Sequence, residues 1–399
     1  MTAAVFVVDA ARSAIGKFGG ALATVRADDL AGAILRALAD RNGLPLEAID
    51  EIVLGCANQA GEDNRNVARM ALLSAGFPYE IPAHTVNRLC ASGLDAVNGA
   101  ARMIALGEAD IVLAGGVESM SRAPWSVPKP HTEPPRGNNT MFDTALGWRF
   151  PNPKLEARFP LEAMGETAEN VAEKFAIGRE VQDRFALNSQ QKAVMAQQNQ
   201  RFGDEIVEIQ APQGKGTVAV KVDEGPRRDS TIEGLTKLRP AFRAGGTVTA
   251  GNSSTLNDGA AALLLCSEKA LKQHGFQPMA RWLGGTSAGV DPRFMGIGPV
   301  PAVHKLLQRL NWTWADVGLL ELNEAFAAQA LAVLSHWQID PARVNVNGGA
   351  IALGHPLGSS GARIAGTLLH EMRRTQTKRG IATLCVGVGQ GVATGFELV

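Results

Sequence analysis

Three elements of this 399-residue chain occur twice in the same order, and that duplication limits the possible folds more than any other feature. Ile49-Asp-Glu-Ile-Val-Leu-Gly-Cys-Ala-Asn-Gln-Ala60 is echoed by Val317-Gly-Leu-Leu-Glu-Leu-Asn-Glu-Ala-Phe-Ala-Ala-Gln329. A β-type run at His84-Thr-Val86, a turn at Cys90 and an apolar helical pattern (Leu94, Val97, Ala101, Ile104) form the second element. Its echo is Val344-Asn-Val-Asn-Gly-Gly349, Gly354-His-Pro356 and a helical pattern over 362–372. Third, Asp110-Ile-Val-Leu-Ala-Gly-Gly-Val-Glu118 matches Ile381-Ala-Thr-Leu-Cys-Val-Gly-Val-Gly389. Short β runs alternating with longer helical stretches, such as 28–39, give each copy α/β character. The length exceeds one ordinary core. Two homologous α/β halves follow, and a site between them receives equivalent loops from both.

The halves are separated by residues of a different style. Pro124, Pro128, Pro130, Pro134 and Pro135 forbid regular structure at the start of this stretch. A helical section from 166 to about 200 comes next, then polar strand and turn residues carrying Arg227, Arg228, Lys237, Arg239 and Arg243. Those basic residues read as a solvated face. From Thr247-Val-Thr-Ala250 through a turn at Gly251-Asn-Ser-Ser254 to apolar 260–266, the core style returns. The expected organisation is an N-terminal half of 1–120 completed by 247–268, a covering insertion of 121–246, and a C-terminal half of 269–399.

Charge narrows the function classes. Lys plus Arg and Asp plus Glu number 39 each, and no basic stripe or tail points to nucleic acid. No apolar run approaches the roughly 20 residues that cross a bilayer. The start, Val5-Phe-Val-Val8 and then Asp9 and Arg12, lacks the basic and long apolar regions of a signal peptide, so cytoplasm is expected. The four cysteines (Cys56, Cys90, Cys266, Cys385) are widely spaced with no Cys-x-x-Cys pair, which argues against structural zinc or a disulfide framework. Cys56 and Cys266 each end an apolar run and read as core.

Cys90 and Cys385 stand among glycines and polar residues instead. Cys90 at a helix start meets unpaired N–H groups and a dipole that favour a thiolate, although a free cysteine is as readily a small buried residue. Four loops suit close backbone approach to a ligand: 87–93, 323–327, 345–358 and 385–391. The last is no dinucleotide fingerprint, because only eight residues follow Gly391 and no crossover helix fits. His355, one of seven histidines, is fixed between Gly354 and Pro356. A cysteine with a distant histidine is a nucleophile-base pattern, and Cys385 in an equivalent loop suggests a proton donor or acceptor near pH 8. No spacing favours a metal at these three.

Asn87-Arg-Leu-Cys90-Ala-Ser-Gly, Asn323-Glu-Ala-Phe, Asn345-Val-Asn-Gly-Gly-Ala-Ile-Ala-Leu-Gly-His355-Pro-Leu-Gly-Ser-Ser-Gly-Ala-Arg and Cys385-Val-Gly-Val-Gly-Gln-Gly resemble the four signatures of the thiolases, in the same order. The resemblance runs over essentially the whole chain. It implies a five-layer α-β-α-β-α fold of two duplicated halves with a large insertion, and ping-pong chemistry on CoA thioesters. In those terms Cys90, deprotonated by His355, attacks a 3-oxoacyl-CoA and becomes acylated. Cys385 protonates the departing acetyl-CoA enolate, and free CoA takes the acyl group. His355 with a water held by Asn323 serves the enolate, while the N–H groups of Cys90 and Gly387 serve the tetrahedral oxyanion.

For coenzyme A, a substrate and not a tightly bound cofactor, Ser254 and Ala250 match pantetheine positions. Phe242, Phe326 and Met164 match apolar walls, and Arg227 an adenine-side position. Ala163-Met164-Gly165 departs from the His-Met-Gly of short-chain acetoacetyl-CoA thiolases. Gly55-Cys-Ala-Asn-Gln-Ala-Gly-Glu-Asp-Asn-Arg-Asn-Val-Ala-Arg-Met70 and Met141-Phe-Asp-Thr-Ala-Leu-Gly-Trp-Arg-Phe-Pro-Asn-Pro153 look like 3-oxoadipyl-CoA thiolases, so a dicarboxylic 3-oxoacyl-CoA is the expected substrate. Arg149 or Arg65 could meet its distal carboxylate, and both also have a structural reading. The alternatives are a biosynthetic acetoacetyl-CoA thiolase and, more remotely, a non-catalytic acyl-CoA or lipid carrier. Thiolase-like chains form homodimers or homotetramers, with acyl-CoA and CoA as the small-molecule partners.

Overall fold

The computed structural model describes residues 3–129 and 136–399, so Pro130, Pro134 and Pro135 lie outside the described residues. In the N-terminal half, Ala83–Val86, Glu51–Gly55 and Ile111–Ser119 run parallel. Asn257–Ser267 pairs antiparallel with Ile111–Ser119 and with Val5–Ser13. The C-terminal half repeats this pattern. Val344 bridges to Leu319–Leu322, which runs parallel to Arg379–Val386. Gln390–Leu398 then pairs antiparallel with Arg379–Val386 and with Ala280–Gly289. The duplicated sheets also touch each other, because Val5, Phe6 and Val7 pair antiparallel with Trp282, Arg281 and Ala280. Strand pairing is therefore continuous from one half into the other.

Alternation along the strands explains the layers. In Asn257–Ser267, Ala260, Ala262, Leu264 and Cys266 enter one core while Ala261, Leu263 and Leu265 enter another. A strand buried on both faces reads as an unbroken apolar run, as this one does. The first core is closed by Leu30, Ile34, Leu35 and Leu38 of the Ala27–Arg41 helix and by Leu72 of Val67–Ser74. On the far side, the Pro299–Leu310 and Ala327–Trp337 helices contribute Val303, Leu306 and Val333. Between the sheets lie the Ser92–Leu106 and Leu357–Thr375 helices, packed through Leu94, Val97 and Ile104 with Ile364, Leu368 and Leu369. Each such side chain is worth about 1.5–3 kcal/mol of burial. The order is helix, sheet, helix, sheet, helix, as expected.

The two central helices start side by side. A Cβ on Gly93 would lie 2.7 Å from the carbonyl oxygen of Gly358, and one on Gly116 only 2.0 Å from it. Any larger residue at Gly116 forces the Leu357–Thr375 helix away from the sheet and from the turn that carries Cys90.

Connections between equivalent strands differ greatly. Residues 387–389 join Arg379–Val386 to Gln390–Leu398, whereas residues 120–256 join the equivalent pair in the N-terminal half. The helical section expected there is two helices, Met164–Lys174 and Arg179–Gln198, broken where Ala176 adopts φ 52°. Ala193 and Ala196 of the second pack on Ile15, Ala352 and Leu353, so this segment shares a core with both halves. Buried Arg12 reinforces the junction through ion pairs to Glu205 and Asp223. Thr247-Val-Thr-Ala250 is irregular and turned; the returning strand begins at Asn257.

Candidate active site

The Ala83–Val86 strand leads into a single 3₁₀ turn, Leu89–Ala91, and then the Ser92–Leu106 helix. Leu89 sits at φ 48°, a left-handed conformation that a branched side chain resists. Local hydrogen bonds impose it. Asn87 Oδ1 accepts from Leu89 N–H (2.9 Å), Ser92 Oγ accepts from Arg88 N–H (2.9 Å), and Ser92 Oγ–H donates to Leu89 O (2.6 Å). The tight elbow leaves Cys90 half-buried, while the other three thiols are buried.

Gly387 N–H donates to the Cys90 sulfur, and Cys90 is near enough to Cys385 to raise the cost of ionising the second thiol. Here the expectations of a thiolate at Cys90 and of a Cys385 titrating near pH 8 are both corrected. Burial pushes Cys90 up to about 11, outweighing the Gly387 and Cys90 N–H groups that favour its anion. Burial pushes Cys385 higher still, and the neighbouring Cys90 adds to the rise. Both rest as thiols.

His355 is held from three sides. Gly354 before it adopts φ 110°, and a Cβ there would strike the Asn257 carboxamide at 2.5 Å. Asn257 Oδ1 accepts the His355 main-chain N–H at 3.0 Å. Ser360 Oγ lies 2.6 Å from Nδ1 and 2.9 Å from Pro356 O. Since the hydroxyl donates to that carbonyl, it accepts Nδ1–H, which leaves Nε2 as the basic nitrogen. Asn323 Nδ2 faces Nε2 at 3.4 Å, and Asn323 Oδ1 is buried with no hydrogen-bond partner among the described residues. Burial, helped by the Arg363 charge, lowers His355 to about 3, so the imidazole is neutral at ordinary pH.

The expected apolar walls converge on Cys385. Met164, Ala168, Val248, Met295 and Phe326 form one cluster with it. Phe242 meets Phe326 edge-on, with ring centroids 6.2 Å apart at 84°, and its ring occupies the space where Gly165 has no side chain. Ser254 N–H donates to Ala325 O (3.0 Å), beside Phe326, and Ala250 is exposed on the same turn. Arg227 is anchored elsewhere: its N–H donates to Gln190 Oε1 on the Arg179–Gln198 helix, a helix that also lines a surface cavity of about 340 Å³ through Arg184, Leu187, Asn188 and Gln191. Arg149 donates to Asn58 O (2.8 Å) and Thr144 O (3.0 Å), and Arg65 is exposed.

In the sequence Glu118 stands only as the end of a repeated segment, with no role of its own. Its buried carboxylate accepts from the N–H groups of Ala57 (2.9 Å), Asn58 (3.1 Å) and Gly358 (2.8 Å), joining the Cys56 loop to the helix after His355. Burial raises it to about 7, with the Asp63 charge adding to the rise. Cys56, read as plain core, has its sulfur 3.6 Å from Asp63 and 3.8 Å from Glu118. The donor atoms of these three lie within 4.8 Å of one another, a spacing a metal ion could bridge, although Glu118 is already engaged by main-chain N–H groups. A carboxylate closing an apolar strand run at 111–118 was the available signal. Ser360 gave none beyond its place in a signature motif.

Residues 5–269 match the family described as thiolase, N-terminal domain, and residues 276–398 match thiolase, C-terminal domain. The chain belongs to the thiolase family. Thiolases are acyltransferases, and coenzyme A is their substrate. Among its relatives is a beta-ketoadipyl-CoA thiolase of Pseudomonas knackmussii, 55% identical over the full length of both chains. Another, a 3-oxoadipyl-CoA/3-oxo-5,6-dehydrosuberyl-CoA thiolase of Escherichia coli, is 52% identical over 99% of each. The crystal structure of human mitochondrial 3-ketoacyl-CoA thiolase in complex with CoA superposes with a TM-score of 0.93 at 40% identity, covering 100% of this chain and 98% of that one. Among the described residues, no helix is long and apolar enough to cross a membrane.

Proposed function

We propose that this enzyme cleaves 3-oxoadipyl-CoA with free CoA, giving acetyl-CoA and succinyl-CoA through an acyl-enzyme at Cys90. The observation that carries the reading is a reachable thiol on a strained elbow, with a second thiol and the Gly387 N–H beside it and a neutral imidazole at the adjoining helix start. Relatives named for the same substrate, at 52–55% identity over 99–100% of the chain, support the choice of acyl group.

The steps balance. His355 Nε2 takes the Cys90 proton as the sulfur attacks the 3-oxo carbon, and the carbonyl electrons move to oxygen. Donation from Gly387 N–H to that oxyanion lowers the barrier by roughly 3–4 kcal/mol. The carbon–carbon bond then breaks, its electron pair forms the acetyl-CoA enolate, and Cys385 returns a proton to carbon. Asn323 Oδ1, lacking a partner, is the acceptor that holds a water against the enolate oxygen. The Cys385 thiolate then takes the proton of the CoA thiol as the CoA sulfur attacks the Cys90 thioester; the Cys90 sulfur leaves, recovers its proton from His355, and succinyl-CoA is released. A thiol and an imidazole that both rest neutral transfer the proton only as attack begins, which avoids a standing ion pair in a buried site.

Pantetheine runs past Ser254 and Ala250 between Phe242, Phe326 and Met164, and Arg227 lies on the adenine side. The halves 1–120 with 247–268 and 269–399 supply the reacting groups, and 121–246 covers them. We infer a cytoplasmic homodimer or homotetramer. The deciding measurement is kcat/KM for CoA-dependent cleavage of 3-oxoadipyl-CoA against acetoacetyl-CoA. Preference for the dicarboxylic thioester is expected; an equal or higher value with acetoacetyl-CoA overturns the substrate.

A further inference from the structure

A substrate that ends in a carboxylate needs a cation to meet it, and the arginines around the site differ in whether they are already paired. Arg88 is held by Asp95, Arg122 by Glu62, Arg243 by Glu166 and Arg293 by Glu162. Arg149 is different. Among the described residues its guanidinium meets two main-chain carbonyls, Thr144 O through Nη1 and Asn58 O through Nη2, and no carboxylate. Two carbonyl bonds use two of five N–H donors and, among the described residues, leave the positive charge of this half-buried side chain uncompensated.

Its position is fixed from both sides of the site. Asn58 follows Ala57, whose carbonyl accepts from Asn87 Nδ2 (3.0 Å), and Asn87 caps the elbow that carries Cys90. Trp148, the neighbour of Arg149, donates its indole N–H to Glu162 O (3.1 Å), just ahead of Met164 in the apolar cluster around Cys385. The Trp148-Arg149 pair thus spans from the nucleophile loop to the wall of the second thiol. Arg65, the other candidate, is exposed on a left-handed turn with φ 62° and has no such tether among the described residues.

We propose that Arg149 is the specificity-determining residue that binds the distal carboxylate of the acyl chain. This rests on the dicarboxylic substrate proposed above. The two carbonyl tethers hold the guanidinium in one orientation, so its remaining N–H groups present a preformed fork to a carboxylate. Little side-chain freedom is then lost on binding.

The test compares 3-oxoadipyl-CoA with 3-oxohexanoyl-CoA, which has the same chain length and a methyl end, in wild type, Arg149→Gln and Arg149→Lys. The wild-type preference for the carboxylate should fall by roughly 30- to 100-fold in Arg149→Gln, the worth of a charge-assisted pair of hydrogen bonds. Arg149→Lys should recover part of it, keeping charge without the fork. Equal losses on both substrates in Arg149→Gln would show a purely structural residue and overturn the inference while leaving the substrate assignment intact. A wild-type enzyme without preference for 3-oxoadipyl-CoA overturns both.

Discussion

The two halves place a reactive residue at the same point, just before a central helix, and then treat it in opposite ways. Cys90 sits on a strained turn, half-buried, with a left-handed leucine before it. His355 is clamped by Asn257, Ser360 and a left-handed glycine, and is buried. Surroundings differ as much as conformation. Cys385 meets Met164, Met295 and Phe326, and Cys90 packs against the core between the central helices, whereas behind the imidazole lie Arg363 paired with Glu321, and Glu324 bonded to Ser189 and Asn345. Both environments nevertheless favour neutrality: apolar packing raises the thiols, while burial and the Arg363 charge lower the imidazole. Duplication supplied equivalent scaffolding, and local packing made one copy reachable and the other rigid.

The largest effect expected from this contrast concerns Cys385. If the C-terminal half supplies the proton and the N-terminal half the acyl carrier, Cys385→Ser should depress cleavage and condensation by about 10³-fold, a typical worth for a positioned proton donor. Transfer of an acyl group from Cys90 to CoA, followed by thioester exchange, should fall far less. Similar losses in both assays would erase the division of labour between the halves.

Sequence alone reaches the scaffold and points to the candidate site residues, because both leave local marks. Strands buried on two faces read as apolar runs, His355 and Cys385 lie in glycine-rich loops, and Cys90 and Asn323 lie in short motifs that follow β-type runs. What it missed depends on distance. Asn257 and His355 are 98 residues apart, and Glu118 and Gly358 are 240 apart, so neither bond has a sequence signature. Protonation was misjudged for the same reason. A helix start favours a thiolate locally, but desolvation comes from side chains that only the folded chain assembles. The helical section at 166–200 breaks at Ala176, which is left-handed there although alanine ordinarily favours helix.

A smaller effect separates accessibility from activation. Cys90 is the half-buried thiol, so iodoacetamide should modify it first, and acyl-CoA should protect it. With its thiol raised to about 11, the thiolate fraction grows about tenfold per pH unit up to that point, so alkylation should accelerate about 100-fold from pH 8 to pH 10. A rate that levels off below pH 8 would mean that the imidazole already holds the proton in the free enzyme.

The smallest effect probes how the rigid half fixes its base. Ser360 receives Nδ1–H only while its own hydroxyl donates to Pro356 O, so Ser360→Ala leaves Nδ1–H without an acceptor and frees the ring to change tautomer. One neutral hydrogen bond is worth about 1 kcal/mol, and kcat should fall about tenfold or less with KM nearly constant. Ser360→Thr keeps the hydroxyl and should restore much of the rate if the added methyl fits. The pH profile adds a sign. His355 is lowered to about 3, so wild-type activity should show no loss of base between pH 7 and pH 5. A shifted tautomer, with Nδ1 as the basic nitrogen, lowers kcat across that whole range without introducing a new acid limb. A variant that instead acquires a limb near pH 6 would show that Ser360 governs the burial of the imidazole and not its tautomer.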